Sequence, residues 1–306
     1  MPSSRTILPA LVIMTLGFSS LAKAEPFVLQ HSWYDFSGQP HQLNLVLSEQ
    51  RVSQALTEGR DLYDYKNIFL VIINNAKQLA NDISTPTAQL KVEREGMGYR
   101  LSYAYLSGHE EEAMAQGRRV QTFIDGAYDD LQSVTYYRQD KLSKTLVINY
   151  NAIVEDFQDI FSQVDTIFRQ SDRGKNAIQM INDRLAFLQS IPYDDMTKSD
   201  FDLNTPIRMM AEHRGDCESK QVFMAGLLRK LFPNRMIQLV TLPDRSHILL
   251  ALEMPELPAK ATYAKDGRRY VILDATGPGL SPVENSADTR IAFDFDYGNK
   301  LWYPIN

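Results

Sequence analysis

The residue of this chain best placed for covalent chemistry is Cys217, its single cysteine. A lone thiol forms no internal disulfide and supplies no site that needs two thiolates. It follows the tight-turn sequence Arg214-Gly215-Asp216 and leads into a helical pattern, Glu218 to Leu231, in which Val222, Ala225, Leu228 and Leu231 face inward. Unsatisfied amides at a helix start carry partial positive charge, so this position predicts a thiol with a lowered pKa. A thiolate nucleophile needs a base near the sulfur and a third group that holds the base in one tautomer. His247, heading the apolar run His247 to Glu253, is the candidate base, and Asp274, after Tyr270-Val271-Ile272-Leu273, is the candidate orienting group. A carboxylate there costs free energy unless it is paired, and a histidine on a neighbouring strand would pair it. Each has a plainer reading as well. His247 fits a satisfied buried histidine, and Asp274 fits the first residue of the turn Ala275-Thr276-Gly277-Pro278-Gly279.

Other chemistry is less well supported. His213 lies four residues before the cysteine, on a preceding short helix whose direction the intervening turn leaves open. Glu218 reads as part of the helix start rather than as a catalytic acid. His31, His41 and His109 show no His-x-x-x-His spacing and no nearby cysteine, so no zinc site is expected. The acidic groups Asp194-Asp195, Asp200 with Asp202, and Asp294 with Asp296 lack the loop spacing of a calcium site and read as solvated loops. No metal and no cofactor is expected.

The elements that must position the three residues follow from periodicity. Short helical patterns run over Pro206 to Glu212 and Glu218 to Leu231, and strands over Arg235 to Leu242, His247 to Glu253 and Arg269 to Asp274. The implied architecture is α+β, a helix packed on an antiparallel sheet. Upstream, His41 to Leu47 and Tyr99 to Leu106 read as strands, the second preceded by the turn residues Gly96 and Gly98. Lys66 to Asn81 and Glu110 to Tyr137 read as helices. Ile153, Phe157, Ile160, Phe161, Val164, Ile167 and Phe168 form one apolar stripe that belongs to a core. A break at Ser171-Asp172-Arg173-Gly174 precedes a further helix through Leu188. The expected division is residues 1–24 as an export signal, 25–160 as a mixed α/β N-terminal region of unassigned role, and 161–306 as the catalytic domain.

The signal rests on Arg5, the apolar stretch Ile7 to Phe18, and Ala22-Lys23-Ala24 before Glu25. The stretch is short for a membrane span, so the expectation is cleavage and release into the periplasm or the exterior, with no stable membrane insertion. An unprotected thiol is a liability in an oxidising compartment unless it is buried or reactive by design. The 306 residues, 44% hydrophobic and 23% charged, suit an ordinary folded protein. A net charge of -6 without a basic run gives no attraction to nucleic acid. Trp302 and Tyr303 read as anchors of the tail on the core.

Three segments together resemble a known family: Gly215-Asp216-Cys217-Glu218-Ser219-Lys220, Ser246-His247-Ile248-Leu249-Leu250 and Val271-Ile272-Leu273-Asp274-Ala275-Thr276. Their order and spacing are similar to the bacterial transglutaminase-like superfamily, over about Phe187 to Gly279. The resemblance implies a papain-like fold with cysteine, histidine and aspartate from one helix and two adjacent strands, and it implies Gln189 as an oxyanion donor. Gln189 also fits an ordinary polar helix end. The implied activity is thiol-dependent acyl transfer on amide bonds of proteins or peptides, with hydrolysis expected in a cleft open to water. Transamidation, and a non-catalytic binding or scaffold protein that retains the fold, are the alternatives.

Overall fold

The computed structural model describes residues 26–57, 65–96, 98–133, 135–139, 146–194, 204–277, 282–283, 293–294 and 300–306. The expected export signal lies outside them, as do Asp195, Asp200, Asp202 and Asp296. Within them the chain is α+β. A hairpin of β1 (Pro26–Tyr34) and β2 (Pro40–Ser48) is followed by α1 (Glu49–Thr57). Next come α2 (Tyr65–Ile83), the hairpin β3 (Ala88–Glu95) and β4 (Gly98–Tyr105), and α3 (Glu110–Ser133). A small pair, β5 (Tyr137–Gln139) and β6 (Leu146–Ile148), leads to α4 (Tyr150–Asp156), α5 (Gln158–Ser171) and α6 (Ala177–Ser190). The last part contains α7 (Pro206–Glu212), α8 (Cys217–Leu231), β7 (Ile237–Leu242), β8 (His247–Glu253), β9 (Tyr263–Lys265), β10 (Arg268–Leu273) and β11 (Leu301–Ile305).

The expected helix on an antiparallel sheet is present. Five strands lie in the order β11-β7-β8-β10-β9, every neighbouring pair antiparallel, and α8 packs on β7 and β8. Alternate residues serve opposite faces. Leu239, Ile248, Leu250, Leu252 and Val271 join the core that contains α8, whereas Val240, Leu242, Leu249, Ala251 and Ile272 join a cluster with Phe293 and Trp302. Both faces are covered, which is why β8 and β10 are unbroken apolar runs rather than alternating ones. Trp302 and Tyr303 anchor the tail as expected, through the pairing of β11 with β7.

The expected boundary near residue 160 runs through this core. Leu29, Trp33, Leu43, Leu45 and Leu47 of the first hairpin, Tyr150 to Val164 of α4 and α5, and Phe187, Phe223 and Leu250 all belong to one cluster. A separate cluster is built by Phe69, Ile72, Ile73, Leu90, Val92, Val120 and Ile124, on α2, β3 and α3. The hairpin's alternating leucines are covered partly by Val52 and Leu56 of α1 and otherwise by residues far along the chain. The stripe over 150–170 joins this core as expected, carried on two helices that meet at Phe157. One smaller expectation is corrected: the helix expected to reach Tyr137 ends at Ser133.

The hairpin is fixed to the end of α6 by a half-buried imidazole. Nε2 of His31 donates to Ser190 Oγ at 2.8 Å, since that hydroxyl itself donates to the Phe187 carbonyl at 2.6 Å. Burial, followed by the charges of His213 and Lys220, pushes the His31 pKa from 6.5 down to about 4. The folded state therefore holds the neutral ring, and the unfolded state binds more protons between those values. Stability from this residue is complete above about pH 6.5 and is lost as pH falls towards 4. His31→Gln should reduce the loss of melting temperature in that window relative to wild type; parallel curves would contradict the assignment.

Gly226 lets α8 approach α5. A Cβ there would lie 2.4 Å from the ring of Phe161, which is fully buried. Alanine gains up to ~1 kcal/mol in helix propensity, but overpacking a filled core costs about 1–3 kcal/mol. Gly226→Ala should therefore lower unfolding stability in denaturant titration, and a stabilised variant would show that Phe161 yields freely.

Candidate active site

Cys217 stands first in α8 because Asp216 caps the helix. The Asp216 carboxylate accepts from the Ser219 amide at 2.8 Å and from its hydroxyl at 2.6 Å, satisfying a helix-start donor. The preceding turn is tied down by backbone bonds: the Gly215 amide donates to the Pro192 carbonyl at 3.0 Å, and the Asp194 amide to the Gly215 carbonyl at 3.1 Å. The nucleophile candidate is thus fixed between the exit of α6 and the core.

His247 opens β8 after a single 3-10 turn, Pro243–Arg245, and Ser246 in the left-handed region at φ +47°. Asp274 directly follows β10, whose last residue Leu273 pairs with Leu250. The two side chains are therefore diagonal neighbours on adjacent strands, within each other's reach. His247 Nε2 and Asp274 Oδ2 are 3.0 Å apart. The other carboxylate oxygen accepts from Gln221 Nε2 at 3.0 Å and from the Thr276 amide at 2.9 Å. Burial alone would raise the Asp274 pKa. The hydrogen bond and charge of His247, with the bonds from Thr276, outweigh it and hold the carboxyl below its usual range. Asp274 is thereby kept ionised opposite the imidazole.

The amide of Ile248, the residue after His247, acts on the Cys217 thiol in favour of its ionised form. Since Nε2 of His247 is engaged by Asp274, Nδ1 is the ring nitrogen that a proton from the thiol would take. The thiol is not pre-ionised as its helix-start position predicts. Burial, then the negative charges of Asp216 and Glu218, pushes its pKa up to about 12, with the Ile248 bond acting the other way. Desolvation outweighs the partial charge of the helix end, so ionisation of this sulfur depends on a proton acceptor beside it.

Glu218 is held by Tyr150, whose hydroxyl donates to Oε1 at 2.9 Å. Burial and the Asp216 charge push its carboxyl up to about 7, against the Tyr150 bond. It ties α8 to α4, in keeping with the helix-start role expected of it. Gln189 is buried, and its Nε2 donates to the Asp274 carbonyl at 2.7 Å. The amide expected to face an oxyanion is engaged there with the turn that carries the aspartate. His213 caps α7 in the left-handed region and stacks on His31, ring centroids 6.2 Å apart, away from the His247–Asp274 pair in its contacts. Sequence reasoning missed Gln221. The available signal was a run of polar residues, Ser219-Lys220-Gln221, leading straight into the apolar buried stretch of the helix.

Comparison with protein-family models, with curated proteins and with solved structures returns no match. The site therefore stands on its own geometry. Among the described residues no group of His, Cys, Asp or Glu could hold a metal ion, and no helix is long and apolar enough to cross a membrane.

The site's proton balance is testable with iodoacetamide. In wild type, alkylation of Cys217 should begin well below the intrinsic value of its thiol, because His247 takes the proton. In His247→Ala it should rise only as pH climbs towards about 12. Superimposable profiles would show that the imidazole does not serve the sulfur.

Proposed function

We propose that this chain is a thiol-dependent acyl-transfer enzyme that hydrolyses amide bonds in proteins or peptides. The observation that carries the reading is the 3.0 Å hydrogen bond of His247 to Asp274, whose carboxylate is also held by Gln221 of the helix that Cys217 begins. In the reaction, Nδ1 of His247 takes the thiol proton as Sγ attacks the carbonyl carbon. The Cys217 amide, at the first position of α8 and without an intrahelical acceptor, donates to the oxyanion. The imidazolium, held by Asp274, then gives its proton to the departing amine, leaving a thioester. Water, deprotonated by the same ring, attacks the thioester and restores the thiol.

The arrangement of α8 against β7, β8 and β10 supports a papain-like reading of the α+β fold, in line with the resemblance of these segments to the transglutaminase-like superfamily. The export signal read in residues 1–24 and the lone thiol support action outside the cytoplasm, in the periplasm or beyond. The acidic balance of the chain supports a protein or peptide substrate rather than nucleic acid. The elevated thiol pKa favours one second reading, a binding protein that keeps the fold without the activity.

Peptide cleavage and amine incorporation should be followed together on the purified chain. Cleavage without incorporation is expected; incorporation without cleavage would replace hydrolysis by transamidation. Cys217→Ala should unfold at the wild-type temperature and lose more than about a thousandfold in rate. Absence of either reaction, with a Cys217 alkylated no faster near neutral pH than a free cysteine peptide, would favour the binding protein.

A further inference from the structure

Lys220 is a fully buried residue that the reaction above does not use. It sits one turn into α8, three residues after the nucleophile. Nζ donates to the Ile191 carbonyl at the C-cap of α6, and to the Thr276 carbonyl at 2.6 Å, two residues beyond Asp274. A cation at this depth carries a desolvation cost, which the hydrogen bonds to these two carbonyls offset. Packing alone does not account for an ammonium here.

Its two acceptors belong to the segments that meet behind the triad. Asp274 Oδ1 accepts from the Thr276 amide, so the carboxylate's orientation depends on where residue 276 lies. The same turn touches α6 twice more. Gln189 Nε2 donates to the Asp274 carbonyl, and Gly277, at φ +64°, lies so close that a Cβ there would be 2.6 Å from the Gln189 carbonyl oxygen. Gln189 and Gly277 set the distance between the turn and the helix end. Lys220 alone among these contacts reaches both segments from α8, the element that also carries Cys217 and Gln221.

We infer that Lys220 is a positioning residue of the triad, its ammonium fastening the Asp274–Gly277 turn and the end of α6 to the helix that carries the nucleophile. This deepens the proposed function and rests on the reading of Cys217, His247 and Asp274 as one catalytic unit. Without the fastening, the turn relaxes away from α8, Asp274 loses its alignment on Nε2, and the thiolate–imidazolium pair is less favoured. Misplacement of a catalytic group by about 1 Å costs on the order of a hundredfold. The midpoint of thiol ionisation should then shift as well as the rate.

The test is the pH profile of Cys217 alkylation by iodoacetamide in the full chain, for wild type, Lys220→Met, Lys220→Arg and His247→Ala, with folding checked by near-ultraviolet circular dichroism. The wild-type profile judges the catalytic reading: a profile equal to that of His247→Ala defeats that reading. Given a distinct wild-type profile, folded K220M should react about tenfold or more slowly near neutral pH, with its midpoint moved towards that of His247→Ala. K220R, which keeps a cationic donor, should recover most of the shift. A folded K220M with the wild-type midpoint overturns the inference, whether or not its rate falls, because a merely structural loss lowers the competent fraction without moving the midpoint. If K220M does not fold, Lys220→Gln, which keeps a donor of shorter reach, is read in the same way. Failure of both to fold also overturns it, since the lysine would then hold the core rather than the turn.

Discussion

The carboxylate of Asp274 lies where three parts of the chain converge, and its orientation is the constraint on which the rest of the site depends. One oxygen receives His247 from β8, while the other receives Gln221 from α8 and the Thr276 amide from its own turn. A carboxylate with donors on both oxygens has little rotational freedom, and so the imidazole it holds has little. The order β7-β8-β10 in the sheet brings the histidine and aspartate together. From α8, packed on β7 and β8, Gln221 reaches the same carboxylate one turn along from the cysteine.

Burial sets the character of the nucleophile. A helix start favours an anion by a fraction of a kcal/mol to about 2 kcal/mol, but removal from water disfavours it more strongly, and the carboxylates at 216 and 218 add to the penalty. The helix start alone therefore does not make this sulfur a free thiolate. A protonated, partly buried thiol also resists oxidation better than an exposed thiolate.

Much of the site was legible in the sequence. A single cysteine after a turn, and a histidine and an aspartate at the edges of apolar runs, are local signals that survive without knowledge of tertiary contacts. The upward push on the thiol's pKa was not legible, because it depends on burial by residues from several elements. Nor was the service of Gln189 to the Asp274 carbonyl, since that bond depends on the approach of Gly277. Lys220 and Gln221 were visible as polar residues in a buried helix, but their targets are loop atoms that no periodicity predicts. The packing of the first hairpin on the later helices was hidden for a related reason. The first hairpin shows its own alternation clearly, while the surface that covers it, Phe168 and Phe187 against Trp33, comes from far along the chain.

That hairpin has a consequence for the order in which the molecule can mature. Two strands alone are marginal in water, and the apolar side of β1 and β2 finds its cover only after α5 and α6 have been made. The sheet is closed still later, when β11 pairs with β7 and the Arg229 guanidinium donates to the Ile305 carbonyl. Contacts between the two ends of a chain impose a large closure entropy and slow folding. The part spanning α2 to α3 has its own small core and can form early, whereas the first hairpin waits, half-covered, for partners made more than a hundred residues later.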